Sequence, residues 1–286
     1  MVTTTAPRSS RWISSARNRT QPMLRAVWTG LVGLVLAAAA SCAEAQNLPD
    51  VAATSRFSGW TAAVIAADWR TSGGEPIQAF DNARRDLTAG FVDAGFDRAA
   101  FYDATLRPDV PDPVSARKAL ADVADLAQAS TRGCLLYFTS HGSPEALVFG
   151  PDAELSPTAM ATLVRGLCPS RPTIVIVSAC YSGIFLDGLA GPDRMIMTAA
   201  RRDRNSFGCG EGARYPYFDG CVIESLPDAR DFIVLAQMTK ACVGRREAEE
   251  GLSPASEPQI RIGANMQLLL PTLRFTRRGA GEKPGS

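Results

Sequence analysis

The chain has 286 residues, of which 46% are hydrophobic and 21% are charged, a composition typical of globular proteins with a sizeable core. Thirty basic and 29 acidic side chains leave a formal net charge of +1, so no overall field favours nucleic acid or acidic lipid as a partner. His141 is the single histidine, which excludes metal sites built from two or more imidazoles. No metal or other cofactor is expected.

The amino-terminal segment has the composition of a signal peptide. Several arginines between Arg8 and Arg25 precede an apolar run at residues 27–40, and small residues follow it. Residues 1–45 are therefore predicted to be a targeting segment cleaved after Ala45, which predicts a periplasmic or secreted protein. Two alternatives stay open: a lipoprotein anchored at Cys42, and an uncleaved anchor, although the apolar run is shorter than the roughly 20 residues of a spanning helix.

From residue 60 onward, short apolar runs alternate with longer amphipathic ones, which is typical of an α/β protein. Strands are predicted at residues 62–67, 99–102, 134–139, 146–149, 173–178 and 195–198. Helices are predicted at residues 79–94, 113–128, 157–167 and 229–250. Because strands such as 173–178 are apolar throughout, both of their faces are expected to be buried, which predicts a mostly parallel sheet in a three-layer α/β/α sandwich. The predicted partition is a linker at 46–59, one domain at 60–275 and a disordered tail at 276–286.

Two of the predicted strands end in reactive residues. His141 and Gly142 follow the strand at 134–139, and Cys180 follows the strand at 173–178. Ligands and catalytic residues gather at the carboxyl ends of parallel strands. The intervening segment has room for a hairpin or short strand and a crossover helix, so the two side chains are expected to meet across adjacent strand ends.

The chemistry of these residue types points to amide cleavage. A cysteine thiol, with an ordinary pKa of about 8.5, is only slightly ionised at neutral pH and needs a base to become a nucleophile. An imidazole can take that proton and return it to the departing amine. We therefore interpret Cys180 as the nucleophile and His141 as the general base, with the N–H groups of Gly142 and Cys180 as the oxyanion hole. The competing interpretation is a turn histidine and a structural cysteine.

Among the remaining cysteines, one short bridge is predicted. Cys209 and Cys221 flank a glycine-rich polar stretch, and a disulfide between them would close a short loop in a compartment that permits disulfides. Cys134 lies inside an apolar strand, where we interpret it as a small buried hydrophobic residue rather than a bridged one.

Four segments in order resemble the legumain family of cysteine peptidases, which belongs to the same clan as the caspases. They are FTSHGS from Phe138, SACYSG from Ser178, TAARRDRNSFGC from Thr198 and PQIRIG from Pro258. The resemblance implies a caspase-like fold with a six-stranded sheet, a dyad of His141 and Cys180, a peptide or protein substrate, and cleavage after Asn or Asp.

The resemblance also suggests residues of the specificity pocket. Ser178 and Tyr181 stand where eukaryotic relatives carry acidic residues, and Ser206 and Asp219 fall in or near the segments that resemble the far wall of the pocket. Asp81 and Arg84 are further candidates, with ordinary helix surface as the alternative.

Two alternative functions stay open, and only the first uses the same dyad. The first is transpeptidation, in which an amine rather than water resolves the thioester. The second is a noncatalytic peptide-binding protein, which would need neither His141 nor Cys180. Expected partners are peptides or proteins and not nucleic acid, with membrane contact only through the amino-terminal segment or a lipid on Cys42.

Overall fold

The computed structural model describes residues 55–276. The predicted targeting segment at 1–45, most of the linker at 46–59 and the tail beyond residue 276 lie outside the described residues. Ala45 and Cys42 lie outside them as well.

Eight strands form within the described part of the chain. They are β1 (Trp60–Ala66), β2 (Phe101–Thr105), β3 (Gly133–Thr139), β4 (Leu147–Val148), β5 (Glu154–Leu155), β6 (Thr173–Ser178), β7 (Arg194–Thr198) and β8 (Gln259–Ile262). Strands β4 and β5 form a hairpin, and the other six form one sheet in the order β2-β1-β3-β6-β7-β8. All pairs in this sheet are parallel except β7 with β8. The central strands β1, β3 and β6 are buried at every position, because helices cover both faces of the sheet.

Seven α-helices connect or follow these strands in residues 55–276. They are α1 (Ala79–Asp93), α2 (Ala116–Gln128), α3 (Pro157–Leu167), α4 (Leu186–Leu189), α5 (Tyr217–Ser225), α6 (Phe232–Glu249) and α7 (Ala264–Leu269). None of these helices is long and apolar enough to cross a membrane.

Alternating side chains of the sheet build two cores. On one face, Val64 of β1 shares a cluster with Leu87 of α1 and with apolar residues of α5 and α6. On the other face, Ile65 shares a cluster with Val123 of α2 and Met160 of α3. The three-layer α/β/α sandwich around a mostly parallel six-stranded sheet is therefore confirmed.

Capping residues decide where two predicted helices begin. Ser115 accepts a hydrogen bond from the N–H of Lys118, so α2 begins at residue 116 rather than 113. Asp231 accepts from the N–H of Val234, so α6 begins at residue 232 rather than 229.

Helix α5 and strand β8 are not predicted by the sequence pattern. Helix α5 buries most of its positions, including an aspartate and a glycine, so it lacks the one-sided apolar pattern of a surface helix. Strand β8 is a four-residue edge strand with only partial burial, which leaves no apolar run to detect.

The disulfide predictions are wrong in both respects. Cys221 is bonded to Cys242 across the packed helices α5 and α6, with a Cα–Cα distance of 5.7 Å, and Cys209 is free. Cys134 is buried as expected, but it is bonded to Cys168 at the end of α3, with a Cα–Cα distance of 6.4 Å. The bonded cysteines are 34 and 21 residues apart in sequence, and packing brings each pair together.

Candidate active site

The segments that follow β3 and β6 lie side by side. Thr139 pairs with Ser178 at the ends of the two strands, and the N–H of Ser140 donates to the carbonyl oxygen of Ser178 at 3.0 Å. A Cβ added at Gly142 would lie 2.3 Å from the carbonyl oxygen of Cys180. The two main chains are therefore in contact, and only glycine fits at position 142.

The imidazole of His141 is held by a main-chain acceptor. Its Nε2 lies 2.7 Å from the carbonyl oxygen of Arg70, in the loop after β1. Because a carbonyl oxygen only accepts, Nε2 carries the hydrogen, and in the neutral imidazole Nδ1 then has the lone pair. The ring of Phe80 meets the imidazole edge to face at 5.1 Å between centroids. This arrangement leaves Nδ1 able to act as a base.

A buried carboxylate organises the loop that holds His141. Asp68 follows β1, at the same edge of the sheet as the residues that follow β3 and β6, and accepts hydrogen bonds from the N–H groups of Trp69 and Arg70. Neither Asp68 nor Arg70 was a candidate from sequence. The available signal was the same as for His141 and Cys180, a polar residue just beyond a buried strand.

The thiol of Cys180 is free and half-buried, and it contacts Ser206 in the loop after β7. The N–H of Ser206 donates to Sγ at 3.3 Å, and the hydroxyl of Ser206 lies 3.6 Å from Sγ. The N–H of Tyr181 donates to the carbonyl oxygen of Arg204 at 2.8 Å, with Tyr181 in the left-handed region at φ 56°. Ser206 thus contacts the thiol itself, whereas Tyr181 follows it as a half-buried neighbour.

The main-chain amides near the thiol are available to a ligand. Gly142 forms an isolated antiparallel bridge with Leu147, and the flanking residues Ser143 and Val148 donate its two hydrogen bonds. The amides of Gly142 and Cys180 donate to no other residue in the range 55–276. Unpaired amides of this kind can bind a developing oxyanion.

Asp219 lies in the interior, near the ends of the two strands that precede His141 and Cys180. It is fully buried, and its carboxylate accepts hydrogen bonds from Tyr137 at 2.5 Å and from the hydroxyls of Thr139 and Ser178. Burial raises the pKa of Asp219 to about 6, although the three hydroxyl hydrogen bonds act in the opposite direction. Ser178 and Asp219 are thus brought together by a hydrogen bond in the interior of the protein.

The other two candidates belong to a different network. Asp81 and Arg84 form an ion pair at 2.8 Å, and Arg84 also pairs with Asp103 of β2. These ion pairs tie α1 to β2 and involve neither Cys180 nor His141.

Cys209 is a second free thiol close to the site. It packs against the buried cluster of Ala66, Ile77, Ala79 and Phe80. Burial raises the pKa of the Cys209 thiol far above its ordinary value, with the nearby Cys180 a further cause. A thiol in this environment is a poor nucleophile.

Comparison with known proteins gives one family and one fold. Residues 126–229, which include His141, Cys180 and Asp219, match the Peptidase C13 family. A search of curated proteins finds no match. Among solved structures, caspase-1 from Spodoptera frugiperda is similar at 14% identity and a TM-score of 0.53, over 73% of this chain and 87% of that chain.

The structure of pro-sf-caspase-1 is similar at 15% identity and a TM-score of 0.51, over 71% of this chain and 90% of that chain. At these identities, the likeness to the two structures establishes the fold. Residues 126–229 are thus similar to the Peptidase C13 family, and the sheet that contains the ends of β3 and β6 has a caspase-like fold.

Proposed function

We propose that the chain is a cysteine endopeptidase with Cys180 as nucleophile and His141 as general base. The observation that carries the proposal is the contact between the Gly142 and Cys180 main chains, which joins the base-bearing and thiol-bearing segments. The hydrogen bond from His141 Nε2 to Arg70 supports the role of Nδ1 as the proton acceptor.

In the first step, Nδ1 of His141 takes the thiol proton and Sγ of Cys180 attacks the carbonyl carbon of the peptide bond. The carbonyl oxygen becomes an oxyanion, which the amides of Gly142 and Cys180 can bind. His141 then gives the proton to the departing amine, and the C–N bond breaks. The product of this step is a thioester between Cys180 and the acyl part of the substrate.

In the second step, His141 activates a water molecule that attacks the thioester. The thiol is released, and the peptide leaves with a new carboxyl end. If an amine takes the place of water, the same intermediate gives transpeptidation. Hydrolysis is the proposal, because water is the abundant nucleophile at a half-buried site.

Cleavage after Asn or Asp is the first specificity to test, because the family resemblance implies it. Ser206 is the proposed pocket residue nearest to the nucleophile, since it contacts the thiol. Tyr181 follows Cys180 in the sequence, and Ser178 is the last residue of β6. Asp219 would act on the pocket indirectly, through its hydrogen bond to Ser178.

The test is covalent labelling of purified protein with acyloxymethyl ketone probes that carry Asn, Asp, Ala or Arg. Mass spectrometry locates the adduct, and peptide hydrolysis is followed in parallel. Cys180→Ala and His141→Ala are the test variants, and Cys209→Ala is the matched control because it removes the other thiol that is free within residues 55–276.

The proposal predicts labelling at Cys180 that requires His141 and persists in the Cys209→Ala variant. Labelling at Cys209 instead, or equal labelling without His141, would contradict the dyad. If no probe labels the protein and peptides bind without turnover, the noncatalytic interpretation replaces the proposal. An added amine that is incorporated into the product in place of water would assign transpeptidation.

We also propose a periplasmic or secreted location. The basic and apolar pattern before residue 45 supports it, and so do the two disulfides, which persist in oxidising compartments. Cell fractionation followed by mass analysis of the amino terminus tests this proposal. An end at residue 46 would support cleavage after Ala45, a lipid on Cys42 would assign the lipoprotein, and an intact chain in the cytosol would contradict export.

A further inference from the structure

The Asp68 side chain makes an unusual set of contacts for a residue outside the proposed dyad. Its side chain is only 3% exposed, and a single oxygen, Oδ1, accepts three hydrogen bonds. The donors are the N–H of Trp69 at 2.7 Å, the N–H of Arg70 at 3.3 Å and Nε of Arg70 at 2.9 Å. These bonds fold residues 68–70 into a tight turn around one carboxylate oxygen.

The turn ends in the carbonyl group that orients His141. Its conformation sets the direction of the Arg70 carbonyl oxygen, which accepts from Nε2 of His141 at 2.7 Å. Residues that follow the turn also hydrogen-bond to it. Ile77 donates its N–H to the Trp69 carbonyl oxygen at 2.8 Å, and Arg70 forms an isolated antiparallel β-bridge with Pro76. The contact path from Asp68 to the imidazole therefore consists of one turn and one hydrogen bond.

Burying a carboxylate is costly unless its hydrogen bonds compensate, so a purely structural turn would be served equally well by uncharged groups. The Arg70 side chain remains 33% exposed, which leaves the ion pair partly open to solvent. The distinctive result of the arrangement is a fixed carbonyl direction rather than a deeply buried ion pair. Residues that fix the orientation and tautomer of a functional imidazole in this way are known to control its chemistry.

We propose that Asp68 is a positioning residue that fixes His141 as the Nε2–H tautomer through the turn at residues 68–70. Its effect on turnover rests on the proposed function, whereas its effect on the imidazole can be measured without any substrate. Asp68 touches neither substrate nor thiol in this proposal. It keeps Nδ1 free and directed as the base.

The single histidine makes the central measurement direct. In tag-free protein labelled with ¹⁵N-histidine, the long-range ¹H–¹⁵N spectrum contains signals from His141 alone and reports its tautomer. The test variants are Asp68→Ala, Asp68→Asn and Arg70→Gln. The matched control is Asp109→Ala, because Asp109 also pairs with an arginine two residues away, Arg107, beyond the end of β2.

We expect the wild type and the Asp109→Ala variant to show one Nε2–H tautomer, and Asp68→Ala to show a mixture of tautomers. Asp68→Asn keeps an oxygen acceptor for the Trp69 and Arg70 amides and should restore much of the wild-type spectrum. In activity, Asp68→Ala should lower kcat by about 10²-fold with little change in KM, the size of effect expected for a misplaced catalytic group.

An unchanged single tautomer in both Asp68→Ala and Arg70→Gln would overturn the proposal, even if the melting temperature fell. If Asp68→Ala does not fold, Arg70→Gln decides the question, because it removes only the Nε contact and leaves the carbonyl in place. The rate of Cys180 alkylation by iodoacetamide separates the two proposals. A tautomer change with slower alkylation in a protein that hydrolyses no peptide would support the role of Asp68 and contradict the proposed function.

Discussion

Replacement of Asp219 by asparagine should remove a large pH dependence of stability. The carboxylate is fully buried, and burial raises its pKa from 3.8 to about 6. At about 1.4 kcal/mol per pKa unit, this rise corresponds to about 3 kcal/mol. Because Asp219 is not solvent-exposed, screening by water does not reduce this figure appreciably.

The direction follows from proton uptake. Between about pH 4 and pH 6 the folded protein binds a proton at Asp219 that the unfolded chain has released. The stabilising contribution is therefore complete below the unfolded pKa of 3.8 and is lost as the pH rises through about 6. An asparagine side chain does not titrate in this range, so the D219N variant should lack this loss.

The assay is urea unfolding followed by circular dichroism for wild type and D219N at several pH values from about 4 to 8. The free energy of unfolding of the wild type, relative to the variant, should fall by up to about 3 kcal/mol over this range. Taking the difference between wild type and variant cancels the contributions of other carboxylates to the pH dependence. One of these is Asp203, whose pKa of about 2 is set mainly by a hydrogen bond from Arg201. Asp125→Asn, at an exposed position of α2, is the control and should show no such slope. A difference that stays constant with pH would refute the reasoning.

Two further predictions concern the site and the disulfides. Gly142→Ala would place a Cβ 2.3 Å from the carbonyl oxygen of Cys180, so kcat/KM for peptide hydrolysis should fall by about 10²-fold or more, as for a lost oxyanion donor. Gly166→Ala is the control, because nothing lies within 4 Å of its added Cβ, and equal activity loss in both variants would argue against a local effect. Replacing Cys221 and Cys242 together by serine should lower the free energy of unfolding in urea by about 3 kcal/mol, and a non-reducing peptide map should recover the bonded pair from the wild type. A map in which Cys221 is bonded to another cysteine would contradict the structure.

Much of the sheet could be predicted from the sequence, because its strands are apolar and end in recognisable residues. The runs that contain β3 and β6 predicted two buried parallel strands, and the residues after them predicted which edge of the sheet carries the chemistry. Helix α5 was not predictable in the same way. Its polar and small residues are buried because the helix packs against β3 and α6. There Asp219 accepts a hydrogen bond from Tyr137, and Cys221 is bonded to Cys242.

The sequence by itself determined the fold class and the two residue types that can perform thiol chemistry, His141 and Cys180, because local apolar patterns and strand ends are local properties. The tertiary structure alone decided which cysteines pair, which carbonyl orients the imidazole and which carboxylate fixes that carbonyl. The contact from Arg70 to His141 spans 71 residues, the two cysteine pairs span 34 and 21 residues, and the local turn at Asp68 reaches the imidazole only through the first of these contacts. These partners become neighbours only when the sheet and its helices pack, so local residue patterns do not predict them.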